Sequence, residues 1–383
     1  MAGRRGRGLV TATVAPAESP PRKVGGARPA RIVVGVIGAV VVAWAAANVF
    51  LALAYYPEWF FDNRLLMAVI GMIAGVGGAA LLFYFVNVFI EGLPQRFSEG
   101  VIPYVFVFPS FFLLGLVLVY PTVQTVNYSF ANNDSTAYVG FDNYVAIFGS
   151  GEFWLSLTNN ALWLIVVPAV TVVVGLVVAL FADRLSAQGE KVAKSFIFLP
   201  MAISFVAAST IWAIQIYSPN PDVGLLNSIV TGLGGDAQNW IRVDTLRLNS
   251  FLMMVILIWM QAGFAMILLS GGIKGVPEET LEAARMDGAN EAQVFFRVIV
   301  PQIKGTMITV FITVTILVLK VFDIIYVLTN GQASTNVIAN LFFQELFTFQ
   351  RAGRASAIVV VLLILVTPIL IYQVRHYRKE AAR

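Results

Sequence analysis

The sequence predicts an all-α polytopic membrane protein with eight transmembrane helices, on the basis of three observations. Hydrophobic residues make up 58% of the 383 residues and charged residues only 12%, about half the usual share of charge in soluble domains. The apolar residues lie in eight uninterrupted stretches of about 18 to 25 residues, a length that crosses a hydrocarbon core. No stretch alternates strictly between polar and apolar residues as a barrel strand does.

The eight predicted spans follow one another along the whole chain. They are 32–54, 66–90, 101–120, 160–182, 196–217, 251–271, 306–328 and 356–373. The first span follows a basic stretch, as the core of a signal peptide does. Its apolar run is too long for a signal core, and no convincing small-residue cleavage site precedes Tyr55. We therefore expect it to be retained as a helix.

The positions of Lys and Arg predict the orientation in the membrane. With the N-terminus inside, the cytoplasmic segments hold 19 of the 25 basic residues and the outer segments hold five, while Lys320 lies within a span. Both termini are therefore expected to face the cytoplasm. Residues 1–31 are basic and lack hydrophobic periodicity, which predicts a disordered cytoplasmic arm. Residues 32–100 then form two N-terminal transmembrane helices, and 101–383 form a core of six.

The composition excludes several classes of function. The chain has no Cys, and its one His, His376, lies in a basic tail, so disulfides, thiolate nucleophiles, a Ser-His-Asp triad and a His-pair metal site have no residues to form them. No phosphate-binding Gly-x4-Gly-Lys-Ser/Thr loop is present, so active transport with ATP requires an ATPase on another chain. The net charge of +4 is small and concentrated on one side of the membrane, and it gives no indication of nucleic-acid binding.

The cytoplasmic loop 272–305 predicts two short helices. Pro277 takes a favoured first helical position, and Glu278 and Glu279 complement the positive end of the helix dipole. Gly288 closes the first helix, because glycine adopts a left-handed conformation without steric cost. The remaining signals are the apolar faces and the end of the second helix: Leu281, Ala283 and Ala284, then Val294, Phe295 and Val298, then Pro301. A helix of small residues with a Gly elbow is typical of a segment that docks into a partner's groove; the alternative is a plain connector.

This loop resembles the coupling loop of ABC-importer permeases, E-A-A-x3-G-x9-I-x-L-P. The matching residues are Glu282-Ala283-Ala284, Gly288 and Val298-Ile299-Val300-Pro301, with Val298 and Val300 in place of Ile and Leu. Other stretches resemble the carbohydrate-importer permeases: Tyr138 to Tyr144, Leu199-Pro200, Phe322-Asp323 and Leu328 to Gly331. Eight spans with both ends inside are similar to the larger permease subunit of maltose-type importers, without its large outer domain. Trp259 to Met266, leading into Lys274-Gly275, looks most like the α-glucoside branch.

The resemblance implies the type I ABC importer permease fold in a bacterial cytoplasmic (inner) membrane. It also implies the partners: a second permease subunit, a dimer of ATP-binding subunits, an extracytoplasmic sugar-binding protein, a sugar substrate and membrane lipid. ATP and magnesium are expected on the ATPase, and no cofactor or catalytic residue on this chain. The residues implied in coupling to the ATPase are Glu282, Ala283, Ala284, Asp287, Gly288 and Pro301.

Polar residues within the spans are the candidates for substrate contact, because such groups are costly in a bilayer. Lys320 and Asp323 are three residues apart, so on one helix they would share a face and either pair with each other or bind substrate. Gln261 and Phe264, one turn apart, offer a hydrogen bond for a hydroxyl and an apolar face for a sugar ring. The resemblance implies sugar contacts at Gln261, Phe264, Val314, Val318, Val321 and Asp323. The isolated tryptophans Trp44, Trp59, Trp163 and Trp240 are expected in the interfacial belt.

Three alternatives remain open at this stage. An ABC permease for another solute, such as a polyol or a glycerol-phosphate, shares the coupling loop. A membrane-embedded enzyme is disfavoured by the single His, the absence of Cys and the absence of an inward-facing cluster of carboxylates. A stand-alone secondary transporter would work without an ATPase, whereas the coupling loop predicts that this chain does not.

Overall fold

The computed structural model describes residues 27–381. Residues 1–26, most of the predicted basic arm, lie outside the described residues. Within 27–381 the chain is helical, with one isolated antiparallel bridge between Ala131 and Tyr138 and no strand. The all-α class predicted from the sequence is confirmed.

The chain divides into two compact units, Met1–Val119 and Tyr120–Arg383. The helices described in the first unit are α1 (Pro29–Tyr55), α2 (Arg64–Gly92) and α3 (Gln95–Leu114). Helices α1 and α2 pack along each other at a crossing that has no room for a side chain. A Cβ atom on Gly35 would lie 2.5 Å from the backbone nitrogen of Phe89, so glycine is required for the two backbones to approach.

The second unit contains the helices that form the candidate site. They are α4 (Tyr120–Tyr128), α5 (Asp142–Phe148), α6 (Gly151–Ala182), α7 (Ala187–Phe198), α8 (Phe205–Ile211), α9 (Leu225–Gly232), α10 (Leu248–Lys274), α11 (Glu278–Met286), α12 (Glu291–Val294), α13 (Val300–Gln302), α14 (Lys304–Leu319), α15 (Asp323–Leu328), α16 (Ile338–Phe343) and α17 (Ala352–Ala381).

The described residues contain six helices long and apolar enough to cross a membrane. They are Pro29–Tyr55, Arg64–Gly92, Phe106–Tyr128, Gly151–Ala182, Thr245–Lys274 and Ala352–Arg375. Two bent helix pairs, Ala187–Ala202 with Phe205–Ile216 and Glu291–Gln302 with Lys304–Leu319, bring the number to eight if each pair is one span. The prediction of eight spans agrees with that count.

The fifth predicted span, 196–217, is not one straight helix. The chain bends by 104° between Ala187–Ala202 and Phe205–Ile216. Pro200 lies in a short 3-10 turn after α7, where it supplies no backbone donor to continue the helix. Ile203 is then extended, with φ −84° and ψ 141°, and Ser204 caps the start of α8 by accepting a hydrogen bond from the backbone N–H of Ala207 at 3.2 Å.

The seventh predicted span, 306–328, is also interrupted. Helix α14 ends at Leu319, and α15 begins at Asp323. The N–H of Val321 bonds the carbonyl of Val318, three residues back, at 3.0 Å, so the helix tightens and stops. Lys320 and Asp323 therefore do not share one helix face, and that prediction was wrong.

The core of the second unit is the contact of α10 with α6 and α14. A Cβ atom on Gly175 of α6 would lie 2.4 Å from the Cβ of Ala265 on α10, so the two helices touch through their backbones there. Trp163 is 1% exposed and belongs to this core. Its assignment to the interfacial belt was wrong, because it lies on the face of α6 that packs inward. Trp44 and Trp59 are 68% and 66% exposed.

We expect Gly175→Ala to destabilise the protein, because the added methyl meets the Cβ and the backbone of Ala265, and neither can move without a shift of α10. Overpacking of this kind costs about 1–3 kcal/mol. The matched control is Gly271→Ala in α10, where a Cβ meets nothing within 4 Å and alanine favours the helix. Thermal unfolding of the detergent-purified variants should show a lower Tm for Gly175→Ala alone. Equal midpoints for the two variants would contradict the close helix contact.

Candidate functional site

Two adjoining cavities lie where the broken helices face α10. The smaller one, of about 260 Å³, is lined by Phe205, Leu257, Leu317, Lys320, Val321, Phe322, Asp323 and Ile324. The larger one, of about 380 Å³, is lined by Met201, Ile203, Ser204, Phe205, Val206, Met260, Gln261, Leu317 and Asp323. Phe205, Leu317 and Asp323 line both. We call the two together the central cavity.

The breaks in the helices create this cavity. The bend between α7 and α8 places Ser204 and Phe205 on its wall, and the gap between α14 and α15 places Lys320 and Asp323 there. Irregular backbone at membrane depth is tolerated only where it lines a cavity or is buried in protein, since lipid cannot satisfy its polar groups. Both interruptions therefore lie where their backbone borders a cavity and can be accommodated.

Gln261 lies on the face of α10 that borders the larger cavity. Its residue is 3% exposed, and its side-chain oxygen Oε1 is buried with no hydrogen-bond partner among the described residues. Two residues further along, α10 comes close to α7: a Cβ on Gly263 would lie 2.3 Å from the carbonyl oxygen of Ile197. A buried amide oxygen without a partner is costly, and a ligand hydroxyl that donates to it would remove that cost.

Lys320 and Asp323 both face the smaller cavity but do not pair. Within the described part of the chain, no ion pair or hydrogen bond engages either side chain. The cavity therefore presents an unpaired ammonium group and an unpaired carboxylate next to aromatic walls, Phe205 and Phe322. Such a surface can donate to and accept from hydroxyl groups while it covers the apolar face of a ring.

The structure brings together four of the residues predicted to contact substrate and separates three. Gln261, Lys320, Val321 and Asp323 line the central cavity. Phe264 is absent from the described lining, and Val314 and Val318 are fully buried in the core with 0% exposure. Their positions were carried over from the resemblance by sequence register, which does not determine which residues of α10 and α14 face the cavity.

Sequence reasoning missed Ser204, Phe205 and Leu317. A signal for the first two was present in Leu199-Pro200 followed by Ser204. A proline followed by a serine at a helix-capping position indicates that one helix ends and another begins. Inside an apolar stretch this pattern predicts a break, and the residue after the cap then starts the new helix. For Leu317 the sequence offers no signal beyond its hydrophobicity.

The loop 272–305 forms the two predicted helical segments. Helix α11 is preceded by Pro277 at its N-cap, one position earlier than predicted. At the other end Gly288 has φ +83°. The N–H of Gly288 bonds the carbonyl of Arg285 at 3.0 Å, and the N–H of Ala289 bonds that of Ala284 at 3.1 Å. These two bonds form a Schellman motif, so the prediction that Gly288 closes the helix is confirmed.

An ion pair and a capping box fix the turn after Gly288. Arg285 Nε donates to Glu291 Oε1 at 3.0 Å, and this hydrogen bond and charge hold the pKa of the Glu291 carboxyl below its ordinary value. Asn290 and Gln293 exchange side-chain to backbone hydrogen bonds, each at 2.9 Å. The elbow between α11 and α12 is therefore a preformed structure.

The surface of the loop is open along the residues of the coupling motif. Glu282, Ala283, Asp287 and Gly288 are exposed, and Ala284 is half-buried. Met286 is 88% exposed beside them. Pro301 was predicted to end the second helix, but the helix continues past it. A π turn, Phe295–Ile299, precedes Pro301, and α13 continues to Gln302. The π turn allows this, because the N–H of Val300 bonds Phe295 five residues back.

The loop 329–337, predicted to lie on the outer side, is held by amide side chains. Asn159 Nδ2 donates to the carbonyls of Ser334 and Asn336 at 2.8 and 2.7 Å. Asn249 Nδ2 donates to the carbonyl of Ala333 at 2.7 Å. Ala333 and Ser334 have φ values of 52° and 61°, a region unfavourable to residues with a side chain. The amides thus hold a strained turn against the ends of α6 and α10.

Apolar spans, two broken helices around a cavity and a preformed elbow in the loop 272–305 are features of a membrane-transport subunit. The chain matches the family described as the binding-protein-dependent transport system inner membrane component over residues 172–379. It belongs to this family, the permeases of ABC importers. The location implied by the resemblance, the inner membrane, agrees with that description.

Two relatives extend the match over most of the chain. The alpha-glucoside transport system permease protein AglF of Rhizobium meliloti (strain 1021) is 44% identical over 83% of this chain and 99% of its own length. The osmoprotective compounds uptake permease protein GgtC of Synechocystis sp. (strain ATCC 27184 / PCC 6803 / Kazusa) is 42% identical over 72% of this chain and 98% of its own.

The fold also has a solved counterpart. A bacterial ABC transporter involved in the import of the acidic polysaccharide alginate contains a chain with a TM-score of 0.62 at 19% identity. The similarity covers 74% of this chain and 98% of that one. At this identity the likeness shows the fold, which is that of ABC importer permeases.

Proposed function

We propose that this chain is the permease subunit of an ATP-driven, binding-protein-dependent sugar importer, and that its substrate is an oligosaccharide of the α-glucoside type. One observation carries the proposal: Gln261, whose side-chain oxygen Oε1 is buried without a partner among the described residues, lines a cavity that also holds Asp323 and Phe205. Sugar hydroxyls donate and accept hydrogen bonds, and sugar rings carry an apolar C–H face. The central cavity offers a partner for each of these groups.

The size of the cavity and the relatives support the same substrate class. A volume of about 380 Å³ falls within the usual range for small-molecule sites, about 300–1,000 Å³. The Rhizobium relative, whose name states alpha-glucoside transport, aligns over nearly its whole length. We assign Gln261, Asp323 and Phe205 to the sugar, and Lys320 and Val321 to the wall beside it. Phe264, Val314 and Val318 would then act through packing.

The exposed elbow supports a docking role on an ATPase subunit. In this proposal Glu282, Ala283, Ala284, Asp287 and Gly288 form the docking surface, and Pro301 lies in the segment that joins it to α14. The ATPase dimer binds ATP and magnesium, a second permease subunit completes the pathway, and a sugar-binding protein delivers the substrate from outside.

A second candidate substrate is a small polyol or its phosphate ester. Lys320, an unpaired cation on the cavity wall, would suit the phosphate of a glycerol-phosphate. The Synechocystis relative, named for osmoprotective compounds, is nearly as similar to this chain as the Rhizobium relative. The neutral hydrogen-bonding groups at Gln261 and Ser204 favour the sugar.

A substrate panel on the purified complex tests the proposal. The complex with its own ATPase and binding protein is reconstituted in liposomes, and ATP hydrolysis and uptake are measured with α-linked glucose disaccharides, glycerol and glycerol 3-phosphate. We expect stimulation and uptake with an α-linked disaccharide. If glycerol 3-phosphate alone stimulates ATP hydrolysis, the substrate is the second candidate and not a sugar. Uptake without any ATPase would refute ATP-driven import of either substrate.

We expect Phe205→Ala to impair sugar uptake more than Phe264→Ala. Phe205 lines both parts of the central cavity, whereas Phe264 is outside the described lining. Loss of the ring removes a stacking surface of the sugar, and an aromatic contact of this kind contributes about 0.5–1.5 kcal/mol. The apparent KM for uptake should rise several-fold with basal ATPase retained. A larger defect in Phe264→Ala would show that Phe264 of α10, and not Phe205, stacks on the sugar ring.

Substitutions at Gly288 test the coupling role of the elbow. A Cβ there meets nothing within 4 Å, so the cost of a side chain is conformational, about 1–2 kcal/mol for the left-handed region. We expect Gly288→Val to lower substrate-stimulated ATP hydrolysis strongly, and Gly288→Asn, which tolerates this conformation, to lower it less. Assembly of the complex is measured in parallel. Normal stimulation in the valine variant would count against docking through this elbow.

A further inference from the structure

A compact ionic cluster joins three helix ends on the side predicted to face the cytoplasm. Lys194 Nζ in α7 bonds Asp183 Oδ1, just after α6, at 2.7 Å, and Glu190 Oε1 at 2.5 Å. Ser270 Oγ in α10 donates to Asp183 Oδ1 at 2.6 Å. Lys274, the last residue of α10, contacts Glu190 and lies 3.8 Å from Asp183. We call these five residues the inner cluster.

The two lysines of the inner cluster have different positions. The side chain of Lys194 is 19% exposed and lies between carboxylates that are 14% and 18% exposed. The side chain of Lys274 is 51% exposed and reaches Glu190 from the rim. If the Lys274 side chain moves away, both carboxylates keep Lys194 as a partner. If the Lys194 side chain moves away, the more buried Asp183 retains only the hydrogen bond from Ser270 and Lys274 at 3.8 Å.

The inner cluster also lies between the coupling loop and the central cavity. Lys274 is followed directly by Gly275 and the loop that leads into α11. Glu190 lies in α7, which continues through the turn Leu199–Ala202 to Ser204 and Phe205 on the cavity wall. Next to Asp183, the charge of Arg184 contributes to the lowered pKa of Glu291 beyond the elbow, after the larger effect of Arg285. The end of α6 therefore acts electrostatically on the loop as well.

We propose that the Lys274–Glu190 contact is a releasable latch that opens and closes once in each transport cycle, and that it transmits movement of the coupling loop to the cavity wall through α7. Lys194 keeps the carboxylates of α6 and α7 together in both states. The inference rests on the proposed function, since it requires an ATPase that moves the loop.

The physical chemistry of the contact suits a step that must reverse. An ion pair with a half-exposed lysine is weak, because water replaces each partner as it leaves. Removal of one partner from a more buried pair is far more costly, since it leaves a charge without compensation. Lys274 forms the weak, half-exposed pair and can exchange Glu190 for water during turnover. Lys194 forms the more buried pairs and stays in place.

Substitution of the two lysines distinguishes a latch from a static brace. We expect Lys274→Met to assemble with normal yield and basal ATPase but to transport several-fold less substrate per ATP hydrolysed. Lys274→Arg should restore the coupling ratio, and Lys194→Met should lower the yield of folded complex. The matched control is Lys191→Met, which removes an exposed lysine of α7 on the same predicted side that has no ion pair among the described residues. An unchanged coupling ratio in Lys274→Met would overturn the proposal.

Cross-linking tests whether the contact must open. The chain contains no Cys, so Glu190→Cys with Lys274→Cys can be joined by a bifunctional thiol reagent with a reducible linker, and each single variant serves as a control. We expect the cross-link to stop substrate-stimulated ATP hydrolysis and transport, and reduction to restore both relative to the uncross-linked double variant. Normal turnover with the cross-link formed would refute the latch.

The readouts keep this inference separate from the choice of sugar. Any compound in the substrate panel that stimulates the wild-type ATPase serves as the substrate for both experiments. If only glycerol 3-phosphate stimulates it, the sugar is wrong, and the coupling ratio and the cross-link still decide on the latch. If the double Cys variant does not assemble, the Lys274 series alone decides it.

Discussion

The structure of the second unit depends on one constraint: backbone polar groups at membrane depth must be satisfied without water from the lipid. Two helices nevertheless stop within the apolar part of the chain, between Ala202 and Phe205 and between Leu319 and Asp323. Both interruptions face α10, which presents Gln261 to the same space. The cavity and the breaks therefore depend on each other: the breaks open the space, and the space accommodates the irregular backbone. Serine, proline and charged residues concentrate there as a result.

The two ends of this helical assembly are held by different kinds of interaction. On the side predicted to be outer, neutral amides of Asn159 and Asn249 bind backbone carbonyls of a strained turn. Such bonds are short-range and have a fixed geometry. On the opposite side, long charged side chains join α6, α7 and α10. The half-exposed ammonium group of Lys274, on its flexible stem, can change partners while it stays hydrated. In our proposal, the end predicted to face the cytoplasm is therefore the side where helices shift relative to one another.

The sequence predicted the features that depend on local chemistry. Apolar length predicted the spans, and Gly288 with its flanking residues predicted the helix closure that the bonds to Arg285 and Ala284 confirm. The interruption at Lys320 was not predicted, because Val, Leu and Phe surround it in an uninterrupted apolar stretch and only tertiary contacts select the break. Val314 and Val318 were predicted at the substrate from the resemblance, and their full burial depends on how α14 packs. Burial of Trp163 likewise depends on which face of α6 meets its neighbours.

The different positions of the wall residues have a consequence for evolution. Ser204 and Lys320 lie at the interruptions, exposed and outside the buried core. Leu257, Val321 and Ile324 line the same cavity but belong to the core as well. The first two can therefore be replaced without disturbing the core contacts, whereas a change at any of the other three alters the packing too. In permeases of this architecture the accepted compound can thus diverge at the interruptions, where the fold imposes the fewest constraints.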